Sequence, residues 1–304
     1  MQIIVGLGPV ESAVVQPVLG DDLVFIESPT DEDISKAAGA IVRAAFVFDE
    51  AQFAKMPNLK VVARTGVGTD LVDLNVAQQK NIPVVITPGS NTNAVAEGAI
   101  AHALHLTKRL GPLHKMVSTG GWNDRTKYPV GDFESKTIGI VGFGRIGRRV
   151  AKLAEAFDMK VLAYDPFAQI PAENAVASIE DLVSRSDVIS LHVPLTDETN
   201  QMVNSSLLAK FKPGAVLVNC GRGALIDLDA ALVALNNKQL GGLGLDVFDP
   251  EPPAHHAIFE HENVVLTPHV MGLSIQSTVQ TFIDAAVGVR DVLEGRAPRA
   301  VATK

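Results

Sequence analysis

The sequence predicts an α/β protein of two domains, each built on a doubly wound parallel sheet. Short β-branched runs alternate with helix-compatible segments up to about residue 93, and they do so again from residue 138 to residue 267. A glycine-rich turn follows the first strand of the second series, and two long helical segments flank that series. Alternating strands and helices are typical of a parallel sheet with helices on both faces.

Length and composition indicate a soluble globular protein. A chain of 304 residues is long enough for two domains, each with its own core. The net charge of −8 and the scattered basic residues argue against a nucleic-acid partner. No uninterrupted apolar run approaches about 18 residues, so we expect no membrane association. Cys220 is the single cysteine, and no basic segment precedes an apolar one at the N-terminus, so we expect a cytoplasmic protein.

The first domain is predicted from short apolar runs separated by polar helical segments. The predicted strands and helices are Gln2–Val5, Leu23–Ile26, Asp31–Ala38, Gly39–Val42, Val61–Ala63, Leu71–Lys80 and Pro83–Ile86. The segment Thr65–Asp70, TGVGTD, makes a glycine-rich loop after the fourth strand, where ligands of open α/β sheets bind.

Two long helices are predicted to flank the second domain, one from about Ala94 to Val117 and one from Leu273 to Leu293. They suggest that the second domain is inserted into the first and that the two crossings serve as a hinge. We therefore expect one domain from residues 1–95 and 275–304, and the other from residues 96–274. His102 and His105 on the first helix lack a third ligand at helical spacing, which favours packing over a metal site.

The inserted domain opens with Lys136–Pro166, in which a strand, a glycine turn, a helix, a second strand and an acid follow in that order. The turn reads GFGRIG and matches G-x-G-x-x-G. Gly142 makes the tight turn, Gly144 lets the backbone approach a pyrophosphate, and Gly147 allows the helix to pack closely. The helix N-terminus offers free N–H groups to phosphates. Asp165 is placed to bind a ribose diol and would repel a 2′-phosphate, so the sequence predicts NAD as the cofactor.

The alternation continues after this segment. Further predicted helices and strands are Ile179–Arg185, Asp187–Val193, Asn204–Phe211, Ala215–Asn219, Asp229–Asn237, Gly242–Val247 and Val264–Thr267. With Thr137–Val141 and Lys160–Tyr164, this makes six strands, the number expected of the two mononucleotide-binding halves of a Rossmann domain.

Three segments after the later strands carry residues suited to hydride transfer on a 2-oxo acid. Arg222, in NCGRG, offers a planar charged fork to a carboxylate. His269, in LTPHV, can donate a proton to a developing alkoxide, and Glu251, in LDVFDPEP, can hold the imidazole in one tautomer. Spacing alone does not bring the three into contact, and each is singly compatible with an ordinary surface role.

These motifs together resemble the D-isomer-specific 2-hydroxyacid dehydrogenases. GFGRIG followed by YDP, then HVPLT, NCGRG, LDVFDPEP and LTPHV, occur in the order that this family has, across nearly the whole chain. The resemblance implies that Arg222, Glu251 and His269 are the catalytic set. It also implies a flavodoxin-like substrate domain in which the backbone of Val67 and Gly68 binds the substrate carboxylate.

Other site residues are expected around these. With the fingerprint glycines, the expected cofactor-binding residues are Gly142, Gly144, Arg145, Ile146, Gly147, Asp165, His192, Pro194, Thr199, Cys220, Asp246 and Gly272. On the substrate side the resemblance adds Asn91, and Arg64 lies just before the glycine-rich loop, where it could meet a phosphate or a second carboxylate. No metal site is expected.

Two departures from the family's pattern bear on the pocket and on regulation. Met271 and Leu273 flank a single Gly272, where the family usually has a turn of small residues, so the pocket or its lid could be reshaped. The sequence ends at Lys304, so we expect a core enzyme without the regulatory domain that some phosphoglycerate dehydrogenases carry.

The sequence thus predicts an NAD-dependent reductase of 2-oxo acids that yields the D-2-hydroxy acid or runs in reverse. The substrate stays open between phosphoglycerate, which would make the enzyme a 3-phosphoglycerate dehydrogenase, and glyoxylate, hydroxypyruvate or a branched oxo acid. An NAD(H)-sensing protein of the corepressor type is the alternative outside enzymes. The loop Trp122–Tyr128 resembles the arm through which family dimers touch, so we expect a homodimer.

Overall fold

A computed structural model describes residues 1–43 and 45–302. Thr303 and Lys304, which end the predicted substrate domain, lie outside the described residues. The chain forms two compact units. One comprises Met1–Asn91 and the segment from Leu273 onward, and the other comprises Thr92–Gly272.

The first unit is a five-stranded parallel sheet. Its strands are β1 (Gln2–Leu7), β2 (Leu23–Ile26), β3 (Gly39–Val42), β4 (Val61–Arg64) and β5 (Val84–Val85). They are ordered β2-β1-β3-β4-β5, the order of flavodoxin-like sheets. The three central strands are buried on both faces, which is why they read as continuous apolar runs rather than alternating ones.

Helices cover both faces of this sheet. They are α1 (Ser12–Leu19), α2 (Asp31–Lys36), α3 (Glu50–Ala54), α4 (Leu74–Gln79) and α11 (Ile275–Leu293). Helices α1 and α11 bury one face, with Leu19 and Phe282 in the core, and α3 and α4 bury the other, with Phe53 and Val76. The predicted doubly wound first sheet is confirmed.

The second unit contains a six-stranded parallel sheet. Its strands are β6 (Thr137–Val141), β7 (Lys160–Tyr164), β8 (Val188–Leu191), β9 (Ala215–Asn219), β10 (Leu240–Leu245) and β11 (Val264–Leu266). The order is β11-β10-β9-β8-β6-β7, so the connections reverse direction between β6 and β8. Beyond β7, Ala175 makes a parallel bridge to Ala163 and completes a rudimentary seventh strand that the sequence analysis missed.

The helices of the second unit also lie on both faces. They are α5 (Thr92–Thr107), α6 (Leu110–Ser118), α7 (Arg145–Glu155), α8 (Ile179–Arg185), α9 (Ser205–Leu208) and α10 (Leu228–Asn236). Helices α5 and α7 share one core with the sheet, and α8, α9 and α10 share the other. Short 3₁₀ turns occur at Trp122–Lys127, Gly223–Leu225 and Ala257–Glu260. The predicted Rossmann-type domain is confirmed.

The prediction of a single long helix over residues 94–117 is wrong. Helix α5 ends at Thr107 and α6 begins at Leu110, because Arg109 adopts a left-handed backbone conformation with φ of 51°. Pro112 gives the physical reason: inside a continuous helix it would lack an N–H and clash with a preceding carbonyl. The break places it in the first turn of α6, where a proline is tolerated. The expected loop at residues 122–128 is likewise largely a 3₁₀ helix.

The units also divide at positions different from those predicted. The division falls between residues 91 and 92 and between residues 272 and 273, not at residues 95/96 and 274/275. Helix α5 begins at Thr92 and packs as one element on the second sheet, with Ala96 already fully buried. Ser274 caps α11 through the N–H of Ser277, so it belongs with that helix. Within the described residues, no helix has the length and apolarity to cross a membrane.

Candidate active site

The predicted site residues of the second unit gather at the carboxyl edge of the six-stranded sheet. Each follows the end of a strand: Gly142 after β6, Asp165 after β7, Arg222 after β9, and His269 after β11. Ligands of open α/β sheets bind in the crevice at this edge, where the connections reverse direction. The fold therefore brings segments that are distant in sequence to one place.

The glycine turn after β6 has the geometry of a phosphate cradle. Gly142 has φ of 93°, a conformation that suits glycine, and a Cβ at Gly147 would overlap the Gly142 carbonyl. Gly144 is exposed, and a Cβ there would project into open space with no protein atom within 4 Å. No side chain among the described residues caps the N-terminus of α7, so its first N–H groups are available to an anion.

Asp165 organises the backbone around this turn. One carboxylate oxygen accepts the N–H of Phe143 at 2.7 Å, and the other accepts the N–H groups of Phe167 at 2.9 Å and Ala168 at 3.1 Å. The acid thus ties the glycine turn to the segment after β7 while remaining half-exposed. A half-exposed carboxylate beside the open glycine turn fits a dinucleotide without a 2′-phosphate, because it would repel that group.

His192, an expected cofactor contact, has its ring turned toward the sheet. Its Nε2 lies 2.9 Å from Ser190 Oγ, and no described residue offers a partner to the enclosed Nδ1. Burial lowers the pKa of His192 from 6.5 to about 4, so the ring is neutral at physiological pH. The backbone of His192 packs against the glycine turn, because a Cβ at Gly142 would lie 2.5 Å from the main-chain carbonyl oxygen of His192.

The other expected contacts on the later strands lie at the same edge. Thr199 Oγ1 donates to the carbonyl of Pro194 at 2.8 Å and closes the loop after β8. Cys220 packs partly buried against the core that α5 and α7 share with the sheet. Burial and the nearby Asp246 carboxylate raise the pKa of the Cys220 thiol well above its usual range. Cys220 is therefore a packed thiol and not a reactive one.

Arg222 is carried by a turn that Asn219 holds. Asn219 is fully buried, and its side chain accepts the N–H of Gly221 at 3.0 Å and donates to the carbonyl of Arg222 at 2.8 Å. The Arg222 guanidinium donates to the Gly221 carbonyl at 2.9 Å and is half-buried. Sequence reasoning missed the function of Asn219, although an asparagine at a strand end, two residues before a glycine, is a turn signal.

Glu251 and His269 meet at this edge. Glu251 Oε2 lies 2.7 Å from His269 Nδ1, and Glu251 Oε1 accepts the N–H of Phe248 at 3.0 Å. The carboxylate is thus fixed at both oxygens. The imidazole is about half exposed, at 51% of its side-chain surface, and can be reached by a ligand.

Asp246 lies below that pair and is only 2% exposed. Its carboxylate accepts the Thr267 hydroxyl at 2.6 Å and the N–H groups of Val270 at 3.0 Å and Met271 at 3.1 Å. It therefore anchors the turn that carries His269. Met271 is one of the residues that depart from the family's pattern. Its side chain packs so closely against Gly98 of α5 that a Cβ at Gly98 would overlap it. Gly272 follows at the end of the second unit.

The expected substrate-side residues belong to the first unit. Arg64 ends β4 and is 6% exposed, while Val67 is 48% exposed on the following loop and Gly68 comes next. Buried Thr87 holds this loop, since its Oγ1 accepts the N–H of Gly66 at 2.8 Å. Asn91 is half-exposed at the end of the unit's first segment. Sequence reasoning missed Thr87, which gives no local signal.

Comparison with known proteins identifies the family. Residues 100–271 match the model of the NAD-binding domain of D-isomer-specific 2-hydroxyacid dehydrogenases. The match spans more than half of the chain, and the chain therefore belongs to this family. The predicted family and the predicted NAD cofactor are both confirmed.

Individual relatives carry several dehydrogenase and reductase names. A D-3-phosphoglycerate dehydrogenase of Synechocystis is 40% identical over 78% of this chain and 43% of its own length. A glyoxylate reductase of Thermofilum pendens is 38% identical over 82% of this chain and 76% of its own. The crystal structure of Aquifex aeolicus D-lactate dehydrogenase with NAD and lactic acid superposes with a TM-score of 0.82, at 29% identity, over 97% of this chain and 96% of that one. The chain spans about half the length of the phosphoglycerate dehydrogenases that it matches.

The high pKa of the Cys220 thiol predicts low reactivity. At pH 8, the folded protein should react with Ellman's reagent at least about a hundredfold more slowly than the unfolded protein, because only the thiolate attacks. Cys220 is the only cysteine, so the assay follows this one group. Rapid labelling of the folded protein, at a rate like that in denaturant, would show the thiol to be accessible and ionisable.

The low pKa of His192 predicts a loss of stability in mild acid. Between about pH 6.5 and pH 4 the ring binds a proton in the unfolded chain but not in the folded one, so stability is complete above this window and falls within it. We expect the free energy of unfolding to fall by up to about 3 kcal/mol, as measured by urea unfolding across this pH range. A His192→Asn variant should not show this fall. Parallel curves for the two proteins would contradict this expectation.

Proposed function

We propose that the protein is an NAD-dependent oxidoreductase that interconverts a 2-oxo acid and the corresponding D-2-hydroxy acid. The observation that carries the proposal is the contact of 2.7 Å between Glu251 and His269. This pair lies at the same sheet edge as the open glycine turn of α7. An acid–base group and a dinucleotide cradle on one edge are what a hydride-transfer enzyme requires.

The pair fixes the proton positions on the imidazole. A carboxylate only accepts hydrogen bonds, so His269 Nδ1 carries a proton toward Glu251. The second nitrogen, Nε2, is then the one that exchanges a proton with substrate. In the direction of reduction, protonated His269 would donate from Nε2 to the carbonyl oxygen of the oxo acid, and in the reverse direction Nε2 would take the hydroxyl proton. Glu251 would stabilise the charged ring and keep its orientation.

Arg222 is proposed to bind the substrate carboxylate and to polarise its carbonyl. A guanidinium presents parallel N–H groups that match a carboxylate, which orients the substrate carbon for transfer. The Asn219 bonds to Gly221 and Arg222 support this, because they fix the backbone from which the side chain extends. When bound, NADH supplies the hydride that reduces the carbonyl carbon.

The first unit is proposed to contribute further substrate contacts. The exposed loop at Val67 and Gly68 offers backbone N–H groups to a carboxylate, and Asn91 offers an amide. Arg64 is buried at the end of β4 and is proposed to act on the substrate side through this loop. We also propose the remaining cofactor contacts, Arg145, Ile146, Pro194 and Thr199, on the strength of the family resemblance.

A D-3-phosphoglycerate dehydrogenase is the second candidate. It is favoured by the names of several relatives between 34% and 40% identical. An NAD(H) sensor is disfavoured because a pure sensor does not need the set of Arg222, Glu251 and His269.

A homodimer in the cytoplasm completes the proposal. The 3₁₀ segment Trp122–Lys127 presents an exposed ring at Trp122, with the Arg125 guanidinium 5.5 Å from its centroid. Exposed aromatic and arginine side chains are enriched in protein interfaces. The single free cysteine, Cys220, is compatible with a reducing compartment.

A spectrophotometric panel tests the function. Purified protein is mixed with NADH and, in turn, glyoxylate, hydroxypyruvate, pyruvate, 2-oxoisocaproate or 3-phosphohydroxypyruvate, with NADPH in parallel. We expect NADH to be oxidised with at least one oxo acid, and NADPH to serve poorly because Asp165 repels its 2′-phosphate. Turnover of the phosphorylated acid alone would select the second candidate. Tight NADH binding with no turnover of any acid would sink the enzyme assignment in favour of a sensor.

Removal of the imidazole tests the proposed acid. His269→Ala should lower kcat by about 10²–10⁴-fold while NADH affinity is retained, as loss of a general acid predicts. His255→Ala is the matched control, because His255 also contacts a glutamate, Glu260, at 3.0 Å, but lies exposed at 75% of its side-chain surface. Steady-state kinetics and NADH fluorescence give both quantities. An undiminished kcat in His269→Ala would remove His269 from the mechanism.

A further inference from the structure

Three hydrogen-bonded polar side chains lie under the turn that carries His269. His102, on α5, is 3% exposed, and its Nε2 lies 3.1 Å from Thr267 Oγ1. Thr267 Oγ1 in turn lies 2.6 Å from Asp246 Oδ1. All three side chains belong to the second unit. His102 has no place in the family motifs that the sequence shows, and at first sight it is only a histidine in a packed helix.

The hydrogen-bond partners of His102, Thr267 and Asp246 determine where each of these side chains carries a proton. All three contacts of Asp246 are donors, which suits a carboxylate that accepts from each. The one hydroxyl proton of Thr267 is directed to Asp246, so Thr267 can only accept from His102. His102 Nε2 must therefore carry a proton and donate it. Burial lowers the pKa of His102, so the ring is neutral and Nδ1 has none, which agrees with the lack of any Nδ1 partner among the described residues.

The hydrogen-bonded side chains end on the backbone of the two residues that follow His269. The Asp246 carboxylate holds the N–H groups of Val270 and Met271, and the N–H of His269 donates to the carbonyl of Thr267 at 3.0 Å. His269 itself has φ of 54°, in the left-handed region that is unfavourable for a residue with a Cβ. Such a conformation persists only where the surroundings impose it.

The helix is packed closely enough to make this contact possible. Gly244, in β10, faces His102, and a Cβ at Gly244 would lie 2.9 Å from the Cβ of His102. A larger residue in the strand would push α5 away and lengthen the bond to Thr267. The strand therefore accommodates the histidine at this position.

We propose that His102 is a positioning residue of the active site, which acts through Thr267 and Asp246 to hold His269 in its left-handed conformation. It touches neither substrate nor cofactor. Its N–H fixes the Thr267 hydroxyl in the rotamer that faces Asp246, and Asp246 then holds the turn in the conformation that presents His269 to Glu251. The inference rests on the proposed function, because a positioned acid has an effect only if a reaction uses it.

Three variants test the inference. His102→Leu removes the donor and keeps a side chain of similar size, and His102→Gln can place an amide N–H near the position of Nε2. His105→Leu is the matched control, since it makes the same change one turn further along α5. The measurements are kcat, KM for the oxo acid, the Kd of NADH, and amide hydrogen exchange at Val270 and Met271.

For His102→Leu we expect kcat to fall about tenfold, with KM and the NADH Kd within about twofold of wild type, since one buried hydrogen bond is lost behind the acid. Exchange at Val270 and Met271 should accelerate by about the same factor. His102→Gln should recover most of both effects, and His105→Leu should show neither. A packing defect alone would raise KM and Kd as well and would not be rescued by glutamine.

Unchanged kcat and unchanged exchange in a folded His102→Leu protein would overturn the inference while the proposed function stands. Failure of glutamine to rescue, or an equal effect of His105→Leu, would also overturn it. If the wild-type protein turned over no oxo acid, the proposed function would fail by itself. The exchange rates at Val270 and Met271 would then still decide whether His102 holds the turn.

Discussion

Parallel pairing of every strand in the second sheet is the constraint on which the site depends. Because all six strands run in one direction, each carboxyl end emerges at the same edge. The loops at this edge carry residues that are far apart in sequence, namely Gly142, Asp165, Arg222, Glu251 and His269. An antiparallel pairing would send alternate loops to the opposite edge. The chemistry proposed for Glu251 and His269 therefore depends first on strand direction and only then on the side chains.

Polar side chains, of which Asn219 and Asp246 are buried, hold the loops at this edge in fixed conformations. Asp165, Asn219 and Asp246 each bind two or more main-chain groups of the loops at this edge, either in the loop after their own strand or in the loop after a neighbouring one. A buried acceptor left unpaired would cost about 1–3 kcal/mol, so these bonds stabilise a particular loop conformation strongly. Asp165, Asn219 and Asp246 therefore fix the backbone of the loops, while the side chains of His269 and Glu251 stay accessible.

The fold and most of the proposed site residues could be predicted from the sequence because each has a local pattern. Apolar strands such as β6 and β9 are buried on both faces and read as continuous runs, and the glycine turn has a fixed spacing. The rudimentary strand at Ala175 was missed because a single bridge leaves no periodic signal. The helix break at Arg109 had a signal in Pro112 that the alanine-rich and leucine-rich pattern around it obscured.

Contacts across the sheet edge could not be read from the sequence. From the sequence, the contact between Glu251 and His269 is only a hypothesis, because it depends on how two loops lie side by side in the fold. The bond from His102 to Thr267 spans 165 positions and joins a helix to a loop, and no spacing rule predicts it. Helical spacing instead drew attention to His105 as a partner for His102, and the structure pairs His102 with Thr267.

The open N-terminus of α7 has a consequence for the lifetime of the polypeptide. The N-termini of α4, α8 and α10 are capped by the side chains of Asp73, Ser178 and Asp227, whereas no described side chain caps the N-terminus of α7. The N–H groups at this N-terminus gain partners when a ligand binds there. A free dinucleotide concentration of a hundred times the Kd would add about 2.7 kcal/mol to the free energy of unfolding. Unloaded copies would thus be the first to be degraded, and the abundance of the protein would follow the nucleotide supply of the cell.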